Sequence, residues 1–327
     1  MGKTKVEQVF HLIDHLAELI QKESDEPYLD SLAIALEVLF YEDIPNEWKD
    51  TEISSALKEA DLSAYSVDEL RKGIQFAILK GMKDSVQSQH MMTPESVALL
   101  IGYFAEQLME KRKSIRLFDP ASGTGNLLLT VMERLKEKRI AAYASEVDST
   151  LIRLSVASSN LQKKQVEYFH QDSLRPLLLD PVDLVIADLP VGYYPDDVRA
   201  QEFQLKADEG HSYAHHLFIE QSLLYTKEAG FLIFVIPEFL FDSDQSDRLR
   251  QFLYDHAHIV GIIRLPDTAF KSKQVKSILI LQKKGEHTKT VKQPLLVQMP
   301  SFKNHHAMAN ILAQMNKWFD TNKGKLL

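Results

Sequence analysis

The apolar residues of the N-terminal part recur with helical spacing. Up to about residue 82 they return every three or four positions, as at Val9, Ile13, Leu16 and Ile20. This is the pattern of amphipathic helices, and alternating strand-like runs are almost missing from it. Helix starts are predicted at Asp50-Thr51 and at Ser66. We therefore predict four or five helices that form an all-α domain over residues 1–88.

From about residue 116 short apolar runs alternate with longer amphipathic stretches. The predicted strands are 116–119, 140–146, 166–170, 182–188, 230–237, 258–265 and 277–282. The predicted helices between them are 126–136, 149–163, 212–224 and 244–255. Such alternation favours an α/β fold with a mostly parallel seven-strand sheet covered on both faces, here over residues 89–327. The last two strands have no room for a helix between them and are expected to be antiparallel. Residues 295–297 are a candidate additional strand, and 308–319 a candidate helix.

A glycine-rich turn joins the first predicted strand to a helix. Its residues are Asp119, Pro120, Ala121, Gly123, Gly125 and Asn126. Glycine lets the backbone approach a ligand closely, and the following helix presents free N–H groups. A dinucleotide-binding turn would have a third glycine where the chain has Leu128. The order acid-Pro-Ala-x-Gly-x-Gly resembles motif I of the S-adenosylmethionine (SAM) methyltransferases, which implies a Rossmann-like class I fold and SAM as the cofactor.

Acidic residues stand at the ends of four predicted strands. They are Asp119, Glu146, Asp172 and Asp188. Ligands of open α/β sheets lie beyond the carboxyl ends of the strands, so we expect these acids to surround one ligand. Glu146, followed by Val147, lies about twenty residues past the turn, where an acid accepts from ribose hydroxyls. Asp172, followed by Ser173, is placed to accept from an adenine amine. The four acids together predict a SAM site.

The order of these segments resembles the amino-group, adenine-N6-type DNA methyltransferases. The resemblance covers roughly residues 85–285, and it is closest to the modification subunits of type I restriction systems and to stand-alone YtxK-type proteins of Gram-positive bacteria. His90-Met91-Met92-Thr93-Pro94 is similar to the family's segment before motif I, which implies that Thr93 contacts the cofactor. Thr93-Pro94 also fits a helix N-cap followed by proline at the first helical position, and both interpretations can hold.

The resemblance also implies a catalytic segment, for which the family has Asn/Asp-Pro-Pro-aromatic. This chain has Asp188-Leu189-Pro190-Val191-Gly192-Tyr193-Tyr194. The family's acid and a neighbouring backbone carbonyl accept both hydrogens of the acceptor amine, which implies these roles for Asp188 and the Pro190 region. The implied reaction is methyl transfer to an amino nitrogen, with adenine N6 of DNA as the first choice.

An aromatic side chain of the family stacks on the flipped base, and here the sequence departs from the pattern. Val191 stands where the family has the aromatic residue, and valine cannot stack on a purine. Tyr193 is the candidate substitute, with Tyr194 as an alternative and Phe218 as a cover for the other face of the base. Leu189 replaces the first proline of the family motif.

Composition narrows the class of protein. The chain of 327 residues is 45% hydrophobic and 26% charged and has no cysteine, which excludes disulfides, thiolate zinc sites and thiol nucleophiles. No run of 18 apolar residues and no signal-peptide core are present, so we expect a cytoplasmic protein without a membrane partner. His215-His216 and His256-Ala257-His258 lack a partnering acid at ligand spacing, so no metal site is predicted.

The net charge of −8 argues against a basic surface that binds the phosphates of a nucleic acid. A local basic stripe at Lys271, Lys273, Lys276, Lys283 and Lys284 is interpreted as a solvated loop and strand ends. No segment is long enough for a separate target-recognition domain, so we expect DNA binding that is weak or assisted by a partner. Two alternatives stay open: an acceptor in another nucleic acid or a protein amide, and a non-catalytic or partner-dependent SAM-binding protein.

Overall fold

The computed structural model describes residues 2–84, 92–270 and 275–326. Its N-terminal part is helical. Its α-helices are α1 (Lys5–Ser24), α2 (Tyr28–Tyr41), α3 (Glu52–Glu59) and α4 (Val67–Asp84). The side chains of Val9, Ile13, Leu16 and Ile20 are at most 1% exposed, which confirms the predicted apolar stripe. Ser66 begins α4 with a capping box, in which its hydroxyl accepts from the Glu69 N–H and its own N–H donates to the Glu69 carboxylate.

The rest of the chain is built on one eight-stranded sheet. Its strands are β1 (Ser114–Asp119), β2 (Arg139–Glu146), β3 (Val166–His170), β4 (Val182–Asp188), β5 (Thr226–Pro237), β6 (Ala257–Arg264), β7 (Lys276–Lys283) and β8 (Leu295–Gln298). The spatial order is β3-β2-β1-β4-β5-β7-β6-β8, and β7 runs antiparallel to both of its neighbours. The mostly parallel sheet and the antiparallel last pair are confirmed. The expected number of seven strands was one too few, because β8 pairs in parallel with β6.

Helices cover both faces of this sheet. They are α5 (Glu95–Leu108), α6 (Asn126–Arg134), α7 (Ser149–Leu161), α8 (Asp197–Ala200), α9 (Ala214–Leu224), α10 (Ser246–His256) and α11 (His305–Leu326). Successive residues of β1 point to opposite faces, so Leu117 joins a core with α5, α6 and α11 while Phe118 joins one with α9 and α10. In the described part of the chain, no helix combines the length and the apolar character needed to cross a membrane.

The helical N-terminal part is fixed to the sheet through α7. Leu154, Ala157 and Leu161 of α7 belong to the apolar core that α1, α2 and α4 form. Beside this contact Arg153 pairs with Glu37 at 2.9 Å. Helix α7 follows directly on β2, so the helical part comes to lie near the carboxyl edge of the sheet.

We expect Leu154→Ala to destabilise the protein through this contact. Leu154 is completely buried between α7 and the N-terminal helices, and its truncation leaves a cavity. The free energy of unfolding should fall by about 2–5 kcal/mol in urea denaturation. The matched control is Leu178→Ala, because Leu178 is 98% exposed and its truncation removes little packing. Equal effects of the two substitutions would show that the docking of α7 contributes little to stability.

Candidate functional site

A cavity of 690 Å³ opens at the carboxyl ends of β1 to β4, within the size range of small-molecule sites. The predicted site residues in its wall are Thr93, Pro120, Ala121, Gly123, Asn126, Glu146, Val147, Asp172, Ser173, Asp188, Pro190 and Tyr193. Met82 of α4 and Met92 also line it, so the helical part contributes to the wall. Asp119 and Gly125 do not line it but are buried behind the glycine turn. The segment from His90 to Thr93 begins outside the described residues, which resume at Met92.

The glycine turn needs its glycines for two different reasons. Gly123 and Gly125 both have positive φ angles, +52° and +79°, which side chains rarely tolerate. A Cβ atom at Gly125 would also come within 2.3 Å of the Ser155 hydroxyl, whereas a Cβ at Gly123 would meet nothing within 4 Å. Both positions therefore require glycine because of their φ angles. Gly125 requires it also because a side chain there would clash with Ser155.

Backbone N–H groups hold the Glu146 carboxylate in the wall of the cavity. Its Oε2 accepts from the N–H of Gly123 at 2.8 Å, and its Oε1 accepts from the N–H groups of Val147 and Asp148, both at 2.9 Å. A carboxylate offers about four acceptor positions, so one remains on Oε2. Glu146 can accept one hydroxyl donor without losing any of these bonds.

Of the four strand-end acids, Asp119 has the fewest hydrogen-bond donors to its carboxylate. Its side chain is 1% exposed, its Oδ1 accepts from the Ala121 N–H at 3.1 Å, and its Oδ2 has no partner in the described part of the chain. Burial raises the pKa of Asp119 to about 8; the bond from Ala121 opposes the rise, and the carboxylates of Glu146 and Asp188 add to it. A cation or a hydroxyl group reaching Oδ2 would satisfy this carboxylate.

Asp172 is held by a tyrosine that the sequence suggested for another role. Its Oδ2 accepts from the Tyr194 hydroxyl at 2.5 Å and its Oδ1 from the Leu174 N–H at 2.9 Å. Tyr194 is 5% exposed, and burial together with Asp172 raises the pKa of its hydroxyl. Tyr194 also lines the cavity, but most of its ring is packed in the core, and its stacking role stays a prediction. Ser173 donates to the carbonyl of Pro120 at 2.5 Å and so joins this loop to the glycine turn.

Two side chains bind the Asp188 carboxylate from different elements. The Thr93 hydroxyl donates to Oδ2 at 3.1 Å, and the Lys276 ammonium donates to Oδ1 at 2.8 Å. The carbonyl of Thr93 in turn accepts from the Asn126 side chain at 2.8 Å. The N-cap interpretation of Thr93 was wrong, because α5 begins at Glu95 after Pro94 and the hydroxyl is directed to Asp188 instead.

Lys276 is the site residue that sequence reasoning missed. It was grouped with solvated lysines, but its side chain is only 14% exposed and pairs with Asp188. Lys283, at the other end of β7, donates to the Thr226 carbonyl, and Lys271 and Lys273 lie outside the described residues. A usable signal was the position of Lys276 at the start of a strand, because this antiparallel strand starts at the edge where the parallel strands end.

The loop after Asp188 contains the residues that differ from the family motif. The Leu189 N–H donates to the Val235 carbonyl at 3.1 Å, a bond that proline could not make. Tyr193 is 58% exposed, and its ring stacks on that of Tyr213 with centroids 4.9 Å apart and planes 14° apart. Phe218 is partly buried and lines the cavity. Tyr193 thus presents an exposed aromatic surface at the cavity, as its proposed role requires.

The paired histidines belong to the core. His215 and His216 are fully buried beside Tyr213, and burial lowers their pKa to about 3 and about 4, which keeps both neutral at neutral pH. Among the residues that the structure describes, no group of three or more His, Cys, Asp or Glu side chains could hold a metal ion.

Comparison with known proteins places these segments in a family context. Residues 80–322 match the N-6 DNA methylase family, and residues 7–82 match the YtxK N-terminal helical domain. The uncharacterized protein YtxK of Bacillus subtilis (strain 168) is 46% identical over 329 residues, covering 99% of this chain and 100% of that protein.

Two solved structures show the same fold. The first, a candidate class I SAM-dependent methyltransferase from Listeria monocytogenes, has 40% identity and a TM-score of 0.92, covering 96% of this chain and 99% of that one. The second, a type I restriction-modification system methyltransferase subunit from Streptococcus thermophilus, has 16% identity and a TM-score of 0.65, covering 93% and 73%. At that identity the likeness concerns the fold alone.

The uncompensated state of Asp119 has a measurable effect on stability. An acid whose pKa is raised on folding binds its proton more tightly in the native state, so it lowers stability as the pH rises from about 4 to about 8. We expect Asp119→Asn to raise the free energy of unfolding of the ligand-free protein by roughly 2 kcal/mol or more at alkaline pH, and to have little effect near pH 4.

Asp183→Asn is the matched control, since Asp183 is a buried acid of the same sheet that pairs with Arg112 and Lys227. We expect this second substitution to lower stability in urea denaturation. An Asp119→Asn variant that is destabilised across the whole pH range would refute the account of Asp119.

Proposed function

Since the chain belongs to the N-6 DNA methylase family, we propose that it transfers a methyl group from SAM to an amino nitrogen, with adenine N6 of DNA as the first acceptor. The observation that carries the proposal is the convergence of Asp188, Glu146 and Asp172 on one cavity of 690 Å³, with Asp119 buried behind its glycine turn. The 40% identical Listeria protein, described as a candidate SAM-dependent methyltransferase, supports it.

The residues present fit SAM as the cofactor. The unpartnered Oδ2 of Asp119 suits the ammonium of the methionine part, for which a buried carboxylate is a strong partner. The remaining acceptor position of Glu146 suits a ribose hydroxyl, and Asp172 is placed for the adenine amine. Gly123, with open space where a side chain would begin, leaves room for the ligand against the turn. When bound, SAM supplies a methyl group carried on a sulfonium ion.

Asp188 is the proposed catalytic residue. An exocyclic amine is a weak nucleophile because its lone pair is delocalised into the ring. Asp188 and the Pro190 backbone accept its hydrogens, which favours a lone pair that points at the methyl carbon. With SAM bound, the lone pair would face the methyl group, and the Asp188 carboxylate would accept the N–H proton that the transfer releases and pass it to water. Thr93 and Lys276 hold the carboxylate in place for this task.

The proposed acceptor is a base removed from its helix. Tyr193, exposed at the cavity and backed by Tyr213, offers a flat surface on which a base can stack. With a net charge of −8, the protein is proposed to bind DNA weakly or with the help of a partner protein. We propose residues 1–88 as a helical domain and residues 89–327 as the methyltransferase domain, in keeping with the family matches at 7–82 and 80–322.

Methyl transfer from radiolabelled SAM to unmethylated genomic DNA tests the proposed activity. Asp188→Ala should reduce the rate by about 10²–10³-fold, because it removes a preorganised acceptor of the amine hydrogens, while SAM affinity changes little. The control is Asp255→Ala, because Asp255 is an exposed residue of α10. Label in DNA that is unaffected by Asp188→Ala would exclude the proposed catalytic role. No label in DNA, from protein shown to bind SAM, would favour another acceptor, a required partner or a non-catalytic SAM-binding protein.

The pKa of Asp119 gives an independent test of the cofactor half of the site. At pH 7 a group with a pKa of about 8 is mostly protonated, and a bound ammonium favours its ionised form, so SAM binding should release a proton. Titration calorimetry in buffers of different ionisation enthalpy should show this release for the wild type. Asp119→Asn should abolish the release and weaken binding by roughly tenfold or more. Equal affinity and equal proton release in both proteins would refute the assignment of Asp119.

A further inference from the structure

Lys276 and Asp188 present a donor and an acceptor side by side in the wall of the cavity. The Lys276 Nζ lies 2.8 Å from Asp188 Oδ1, and both side chains are 14% exposed and line the cavity. Lys276 starts β7 and reaches across the end of β5, with which β7 pairs, to the end of β4. The pair is thus formed by two strands that the fold brings to the same edge of the sheet.

The ammonium of Lys276 has bonding capacity left over. It carries three N–H donors, of which one is used by Asp188. The ring of Phe270, with its centroid 4.9 Å from Nζ, covers another side of the ammonium. Within residues 2–84, 92–270 and 275–326 no second oxygen accepts from Nζ. One donor therefore remains for a molecule in the cavity, directly beside the carboxylate that is proposed to bind the acceptor amine.

We propose that Lys276 recognises the atom next to the reacting amino group. While Asp188 accepts from the amine, Lys276 donates to a ring nitrogen or carbonyl oxygen bonded to the same carbon. This inference rests on the proposed function and narrows its substrate class to amines with such a neighbour, namely aminopurines, aminopyrimidines and primary amides. Alkyl amines and guanidinium groups are excluded, because they offer no acceptor atom to the lysine. In adenine the recognised atom is N1.

Electrostatics favours a lysine that is paired with Asp188 over an unpaired ammonium beside the reacting nitrogen. The acceptor nitrogen gains positive charge as the new bond forms, so an unpaired ammonium close to it would oppose the reaction. Paired with Asp188, the lysine leaves the local charge near zero and directs its free donor to an electronegative atom instead. Because N1 of adenine is occupied by its partner base in a duplex, recognition by Lys276 requires a base that is flipped out or single-stranded.

The test combines substitutions in the protein and in the substrate. Methyl transfer is measured on DNA in which the target adenine is replaced by 1-deazaadenine, which lacks the N1 acceptor, or by 7-deazaadenine as a control that keeps it. We expect wild-type kcat/KM to fall roughly 10–100-fold on 1-deazaadenine relative to adenine, and much less on 7-deazaadenine. Lys276→Met should lose most of this discrimination and work equally slowly on adenine and 1-deazaadenine. Lys283→Met, at the far end of the same strand, should keep wild-type discrimination.

Each outcome separates this assignment from the proposed function. SAM titration and thermal unfolding first establish that Lys276→Met is folded, and Lys276→Gln, which keeps an uncharged donor, serves as a second variant with partial discrimination. The same adenine-to-deazaadenine ratio in wild type and both variants would overturn the assignment and leave Lys276 as a positioning residue for Asp188. Transfer to alkyl amines at a comparable rate would overturn it as well. No transfer by the wild type to any DNA, from protein shown to bind SAM, would instead count against DNA as its unassisted acceptor, and against the N1 assignment with it.

Discussion

The carboxylates gathered at the carboxyl edge of the sheet repel one another, and the site depends on how each of them is compensated. Backbone N–H groups bind Glu146, a tyrosine and a backbone N–H bind Asp172, and a threonine and a lysine bind Asp188. Asp119 receives only one backbone N–H and keeps a raised pKa. Of the four carboxylates, Asp119 is therefore the one that a positive charge brought within reach of it would stabilise most.

The segment after Asp188 departs from the family motif at Leu189 and Val191. Leu189 lets β4 keep a backbone bond to β5 where the family's proline would break it, and Tyr194 supports Asp172 from within the core. Tyr193 is left as the exposed ring at this end of the cavity, backed by Tyr213. The loop that differs from the family motif at positions 189 and 191 is thus held by the hydrogen bonds of Leu189 and Tyr194, and it exposes the ring of Tyr193.

The helical N-terminal part takes part in shaping the cavity. It docks on α7 through a shared apolar core, and Met82 of α4 reaches the cavity wall. Arg71 of α4 adds a partly buried ion pair with Glu95 at 2.6 Å, at the start of the helix that follows Thr93. Because Thr93 binds Asp188, a series of contacts joins these helices to the proposed catalytic carboxylate.

The sequence by itself determined the helices and strands and predicted much of the cavity wall. Apolar periodicity gave the helices and strands, and the glycine turn and strand-end acids predicted which residues would meet, because the ends of parallel strands lie at one edge. Only the tertiary structure decided contacts made by residues distant in the chain: Lys276 on Asp188, Tyr194 on Asp172, Thr93 as a partner of Asp188 and the pairing of β8 with β6. Local spacing alone does not pair these residues, since the insertion of β7 between β5 and β6 is what brings Lys276 to Asp188, 88 residues away in the chain.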